Sequence, residues 1–212
     1  MCTNYRVTAK KERLQCFGVY PESDWHSPLG KYHVFNHYPA PIIRLGQETE
    51  LQPQLITAEF GLLPVWSKER KIKFTTMNAR SERVATAPAY RTAWARNQKC
   101  IIPADWIVEP DWRSGKYIAA RIARTDGLPI GIAGLWDRWT DSISHKVVFS
   151  FTMLTVDATN DPFMQQFHKP NEEKRSLVML KDADYSNWLF CPKEMNSALI
   201  KTSGLNDLII LP

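Results

Sequence analysis

Between Cys100 and Val156 the chain is a succession of short apolar runs rich in β-branched and aromatic residues, each closed by a turn signal. Cys100–Val108, Tyr117–Ile122, Ile130–Trp136 and Val147–Val156 read as strands, separated by Pro110-Asp111, Ser114-Gly115 and Asp126-Gly127. Leu177–Leu180 and Leu208–Leu211 add two more. Helical signals are fewer. Pro88 suits the first turn of a helix running to about Arg96, with Asn97 as its stop. Asn160-Asp161-Pro162 opens a short helix through Phe167, Asp182 caps one containing Trp188 and Leu189, and Glu194–Lys201 forms another before Gly204. Strands in succession with the helices set apart predict an α+β fold: a barrel-like, mainly antiparallel β-core with a few peripheral helices.

At 212 residues, 44% of them hydrophobic, the chain can bury one sizeable core. No repeat, low-complexity tract or Gly/Ser linker divides it, so a single domain over 1–212 is expected, and a monomer. Cys2, Cys16, Cys100 and Cys191 are scattered, without the close spacing of zinc ligands, so no metal and no cofactor is expected. Scattered thiols fit a reducing compartment, and no apolar run reaches the roughly 18 residues of a spanning helix. The start of the chain lacks a signal-peptide core. A cytoplasmic protein without membrane association is expected.

The formal charge of +5 permits a polyanionic partner without requiring one. Lys68, Arg70, Lys71 and Lys73 cluster between Trp66 and Phe74, a mixture of cations and aromatics found both in solvated loops and in single-strand-binding grooves.

Four sites along the chain are candidates for chemistry, and the first, Cys2, is either an ordinary small residue near the terminus or a nucleophile. Removal of Met1 would leave Cys2 with an α-amine and a thiol on adjacent carbons. An α-amine titrates near 7.7–8.0, so much of it is neutral at physiological pH. It can attack an aldehyde, and the thiol can then close a five-membered thiazolidine, which no internal cysteine can do. Asn78 and Arg80 either cap a helix beginning near Ser81 and Glu82 or offer an amide for a substrate and a fork for a phosphate. Glu109 either ends a strand in solvent or, if enclosed, gains a raised pKa suited to proton transfer. His168 follows a short helix whose carboxy-terminus would favour the protonated imidazole, a competent general acid.

Taken together, Met1-Cys2, Phe60-Gly61-Leu62-Leu63-Pro64-Val65-Trp66, Asn78-Ala79-Arg80-Ser81-Glu82, Cys100 to Trp106 leading to Glu109, Ala133-Gly134-Leu135-Trp136, Phe151 to Thr155, and His168 ahead of Leu177 to Leu180 resemble the SOS-response-associated peptidase family of abasic site processing proteins. The resemblance implies a basic cleft for single-stranded DNA and a terminal cysteine that forms a thiazolidine with the ring-opened sugar of an abasic site. It implies Cys2 as nucleophile, Asn78 positioning terminus and sugar, Glu109 moving protons and His168 assisting ring opening. Arg80 would grip a phosphate, Trp66 would pack on a base, and Lys68, Arg70 and Lys71 would line the cleft. It also implies self-removal of the residues before the cysteine, hence the peptidase label, lyase-type activity on abasic DNA, and association with the nucleoid.

Three segments depart from the usual pattern. Thr3-Asn4 replaces Gly-Arg after the cysteine, Tyr32-His33-Val34-Phe35-Asn36 replaces Tyr-Asn-x-Ala-Pro, and His168-Lys169-Pro170 continues in a longer tail, Asn171 to Arg175. Two rival readings use the same residues: an amino-terminal-nucleophile cysteine hydrolase or peptidase on other substrates, and a single-stranded-DNA-binding module without chemistry.

Overall fold

A computed structural model describes residues 4–22, 33–46, 51–70, 72–192, 198–200 and 207–212. Its elements run β1 (Tyr5–Val7), β2 (His33–Val34), β3 (Pro39–Leu45), β4 (Pro53–Phe60), β5 (Asn78–Arg80), α1 (Arg91–Ala95), β6 (Lys99–Asp111), β7 (Ile118–Arg124), β8 (Ile130–Thr140), β9 (Val147–Asp157), β10 (Arg175–Leu177), β11 (Met179–Leu180), α2 (Tyr185–Phe190) and β12 (Leu208–Leu211). Short 3-10 segments cover Lys11–Phe17, Ser81–Arg83, Met164–Gln166 and Asp182–Asp184.

Five strands close into a ring: β6 pairs with β8, β8 with β9, β9 with β4, β4 with β3, and β3 with β6 again. Only the β4–β9 contact in this ring is parallel. Closure leaves the ring no open edge, and the remaining strands extend it outward. The expected α+β barrel is what the chain forms.

The apolar runs of β6, β8 and β9 are continuous because both faces of these strands are covered. Ile42, Phe60, Ile102, Ile132, Phe151 and Met153 pack together in the interior. Their sequence neighbours Ile43, Ile101, Ala133 and Leu154 point the other way, against Leu14 and Phe17 of the 3-10 segment and Tyr185, Trp188 and Leu189 of α2. Trp188 is fully buried, and its indole N–H donates to the Cys100 carbonyl at 2.9 Å.

Some local expectations shift. The helix expected from Pro88 begins at Arg91. The run Leu177–Leu180 is two strands, because the chain changes partner at Val178: β10 pairs with β9 and β11 with β8. The segment after Asp161 is a 3-10 turn rather than an α-helix, although Asp161 does cap it, accepting the Phe163 and Met164 N–H groups at 3.0 and 2.8 Å. The helix expected over Glu194–Lys201 lies largely outside the described residues. Among those residues, no helix is long and apolar enough to cross a membrane, and no group of His, Cys, Asp and Glu could hold a metal.

Candidate active site

The position of Glu109 follows from an irregularity in β6. Arg6 pairs with Trp106, but Val7 pairs with Ala104, so Asp105 is an extra residue on β6. Strand side chains alternate, and one inserted residue reverses the alternation beyond it. Ile107, Glu109 and Asp111 therefore follow on the side taken by Cys100, Ile102 and Ala104. Asp105 is held in the bulge by Thr8 Oγ1, which donates at 3.2 Å, and by Arg13 at 3.4 Å.

Glu109 is 1% exposed, and its Oε2 accepts no hydrogen bond among the described residues. Loss of hydration disfavours the carboxylate and pushes its pKa up to about 7. His168 is also buried, with Nε2 3.5 Å from Glu109 Oε2 and 3.1 Å from the Arg175 carbonyl oxygen. A carbonyl can only accept, so Nε2 carries a hydrogen. Burial lowers the His168 pKa below its ordinary value. This corrects the expectation of a protonated imidazole at a helix end: the preceding 3-10 turn spans only Met164–Gln166, and desolvation outweighs it.

The His168 backbone is in the left-handed region, φ 66°, and is held there by its neighbours. Its N–H donates to the Pro110 carbonyl at 2.8 Å, tying it to the residue after Glu109. Lys174 Nζ donates to the carbonyls of Phe167, His168 and Lys169 at 2.9, 3.0 and 2.9 Å.

Asn78 and Arg80 lie on β5, which runs parallel to β9 with Asn78 beside Met153 and Arg80 beside Thr155. Neither side chain caps the Ser81–Arg83 turn. With Trp66, Phe74, Arg83 and Tyr90 they line an open groove of about 440 Å³. Trp66 and Phe74 are about half exposed, and the Trp66 N–H donates to the Pro88 carbonyl at 2.9 Å, fixing the ring in the wall. Tyr90 donates its hydroxyl to the Asn78 carbonyl at 3.1 Å, and burial pushes its pKa up to about 12.

The other expected cations divide. Lys68 is exposed. Arg70 is exposed and ion-paired with Glu59. Lys71 and Cys2 lie outside the described residues.

Arg175, at which the sequence gives no hint, links the groove to the buried pair. Its carbonyl accepts from His168. Its buried guanidinium donates to Glu82 at 2.9 and 3.0 Å, to the Thr155 carbonyl at 2.8 Å and to Glu173 at 3.3 Å. Glu173 in turn pairs with Arg80 at 2.6 Å. Glu82 was visible only as part of the Asn78 motif, and Lys174 and Arg175 only as a charged tail.

Comparison with known proteins agrees with this architecture. The SOS response associated peptidase (SRAP) family profile matches residues 1–208. The abasic site processing protein YobE of Bacillus subtilis is 28% identical over 170 residues, covering 78% of this chain and 73% of YobE. YoaM of the same organism is 30% identical over 133 residues, 61% of this chain, and the match spans about half of YoaM's length (54%). A crystal structure of a Bordetella bronchiseptica protein superimposes over the whole of both chains with a TM-score of 0.86 and 34% identity. One from Bacteroides thetaiotaomicron shares the fold, with a TM-score of 0.80 and 22% identity over all of this chain and 92% of that one. With the family profile covering nearly its full length, this chain belongs to the SOS response associated peptidase family.

Proposed function

We propose that the protein processes abasic sites in single-stranded DNA by covalent capture through Cys2 once Met1 is removed. The α-amine adds to the aldehyde of the ring-opened sugar, and loss of one water leaves an iminium. The thiol sulfur then adds to the iminium carbon and releases its proton, closing a thiazolidine. Glu109 carries protons in these steps and His168 assists opening of the sugar ring, with Asn78 positioning the terminus and the sugar. Arg80, Trp66, Lys68, Arg70 and Lys71 bind the strand. Self-removal of residues ahead of Cys2 and lyase-type activity belong to the same reading.

The observation that carries it is the buried Glu109, poised near neutrality beside His168 and one residue from Val108, whose N–H donates to the Asn4 carbonyl at 3.1 Å. Cys2 is two residues before Asn4, a tether of at most about 7 Å. The names of YobE and YoaM, abasic site processing proteins, support the substrate.

The test is incubation of the purified protein with an abasic oligonucleotide, the same oligonucleotide after borohydride reduction, and an intact one. A denaturation-resistant band with the abasic strand alone is expected. Equal bands with the reduced strand, which has no aldehyde, would defeat the proposal. Peptide turnover without any crosslink would favour the cysteine hydrolase reading.

A further inference from the structure

The tail between His168 and β10 seats a carboxylate on the arginine assigned above to the DNA. Arg80 Nη2 donates to Glu173 Oε2 at 2.6 Å and Nη1 to Oε1 at 3.2 Å, so the guanidinium fork is matched to a planar, two-oxygen anion. This two-point contact is also the one a guanidinium offers a phosphate. The Arg80 and Glu173 side chains are 44% and 45% exposed, and an exposed pair of this kind adds little to folding.

Glu173 has a second cation. Arg175 Nη1 lies 3.3 Å away, with its side chain only 5% exposed and anchored by Glu82 and Thr155. A carboxylate between one buried and one exposed arginine can release the exposed one and keep a counter-charge. Glu173 also sits between His168 and the start of β10 at Arg175, on the short segment that joins the buried pair to the groove.

We propose that Glu173 is a built-in competitor for the phosphate seat of Arg80, exchanged for a backbone phosphate when a single strand enters and then held by Arg175 alone. The proposal rests on the DNA reading of the groove. Its consequence is selectivity. Undamaged strands must displace Glu173 and are released quickly, whereas an abasic strand is retained by the covalent bond and is indifferent to a weak first contact.

The experiment is fluorescence anisotropy of the full chain with an undamaged oligothymidylate over a range of salt. Glu173→Gln is expected to tighten binding by about two- to fivefold, the worth of an exposed pair, and to steepen the salt slope by up to about 0.7, one phosphate's share on a single strand. Glu172→Gln is the control: it removes the same charge from the same tail, but Glu172 pairs with Lys169 at 3.7 Å. In an Arg80→Ala background, Glu173→Gln should gain nothing. Equal gains from the two glutamine variants, or a gain that persists without Arg80, would overturn the proposal while leaving the groove reading intact. Arg80→Ala binding as tightly as wild type would overturn both.

Discussion

The Glu109 carboxyl and the His168 imidazole lie 3.5 Å apart in a site that biases both toward their neutral forms. Burial raises the acid's pKa to about 7 and lowers the base's, so the pair is not a fixed ion pair at neutral pH. With Nε2–H directed at the Arg175 carbonyl, Nδ1 is the ring atom that gains a proton when His168 does become charged. Of the two, Glu109 is the one whose pKa burial moves toward physiological pH, up to about 7.

Stability should record this. From its ordinary pKa of 4.5 up to about 7, the unfolded chain loses the Glu109 proton while the native chain keeps it, so stability falls as pH rises through that window and levels above it. His168, with a lowered native pKa, has the opposite sign: its contribution is present above its ordinary value of 6.5 and is lost as pH falls through the lowered one. Glu109→Gln should therefore be more stable than wild type at pH 8, by up to about 3 kcal/mol, and close to it below pH 4.5. Urea unfolding at the two pH values checks this; a glutamine variant destabilised at pH 8 would show that the carboxylate is well solvated or paired.

The crosslinking rate should have an inflection near pH 7 that disappears in Glu109→Gln, leaving the α-amine's own titration near 7.7–8.0. Glu109→Gln and His168→Ala should each slow the reaction by about 10²–10⁴ without abolishing strand binding. Rates within twofold of wild type for both would remove them from the mechanism.

Amine and thiol can be separated at the terminus. Cys2→Ala should give at most an imine that borohydride traps. A form that retains Met1 has an amide at Cys2 and should bind DNA without forming a thiazolidine. Mass spectrometry of the processed wild type should place the adduct on residue 2 with loss of one water. Equal crosslinking by the Met1-retaining form would shift attention to a lysine or another cysteine.

Arg175→Lys keeps the charge but not the fork that binds Glu82 and Thr155 together. A loss of about 1–2 kcal/mol in unfolding free energy is expected, with slower crosslinking because the Arg175 backbone, whose carbonyl accepts from His168 Nε2, is less firmly held. Unchanged denaturation midpoints would mean the guanidinium contacts contribute nothing.

The strands β6, β8 and β9 were legible because they bury side chains on both faces, and the resulting apolar runs are local in sequence. Glu109 and His168 could be picked out as residue types with the right chemistry. Their environment could not, because it depends on long-range packing. Closure of the ring through β3–β6, with partners such as Ile43 and Ile101, is set by tertiary pairing. The one-residue bulge at Asp105, which turns Glu109 inward, shows only when β6 is laid against β1. Arg175 read as one more cation in a charged tail until the fold brought Glu82, 93 positions away, to its guanidinium. Local sequence determines which backbone conformations and which functional groups are present. Desolvation and ion pairing, which set a group's charge state, arise only when distant segments exclude water together.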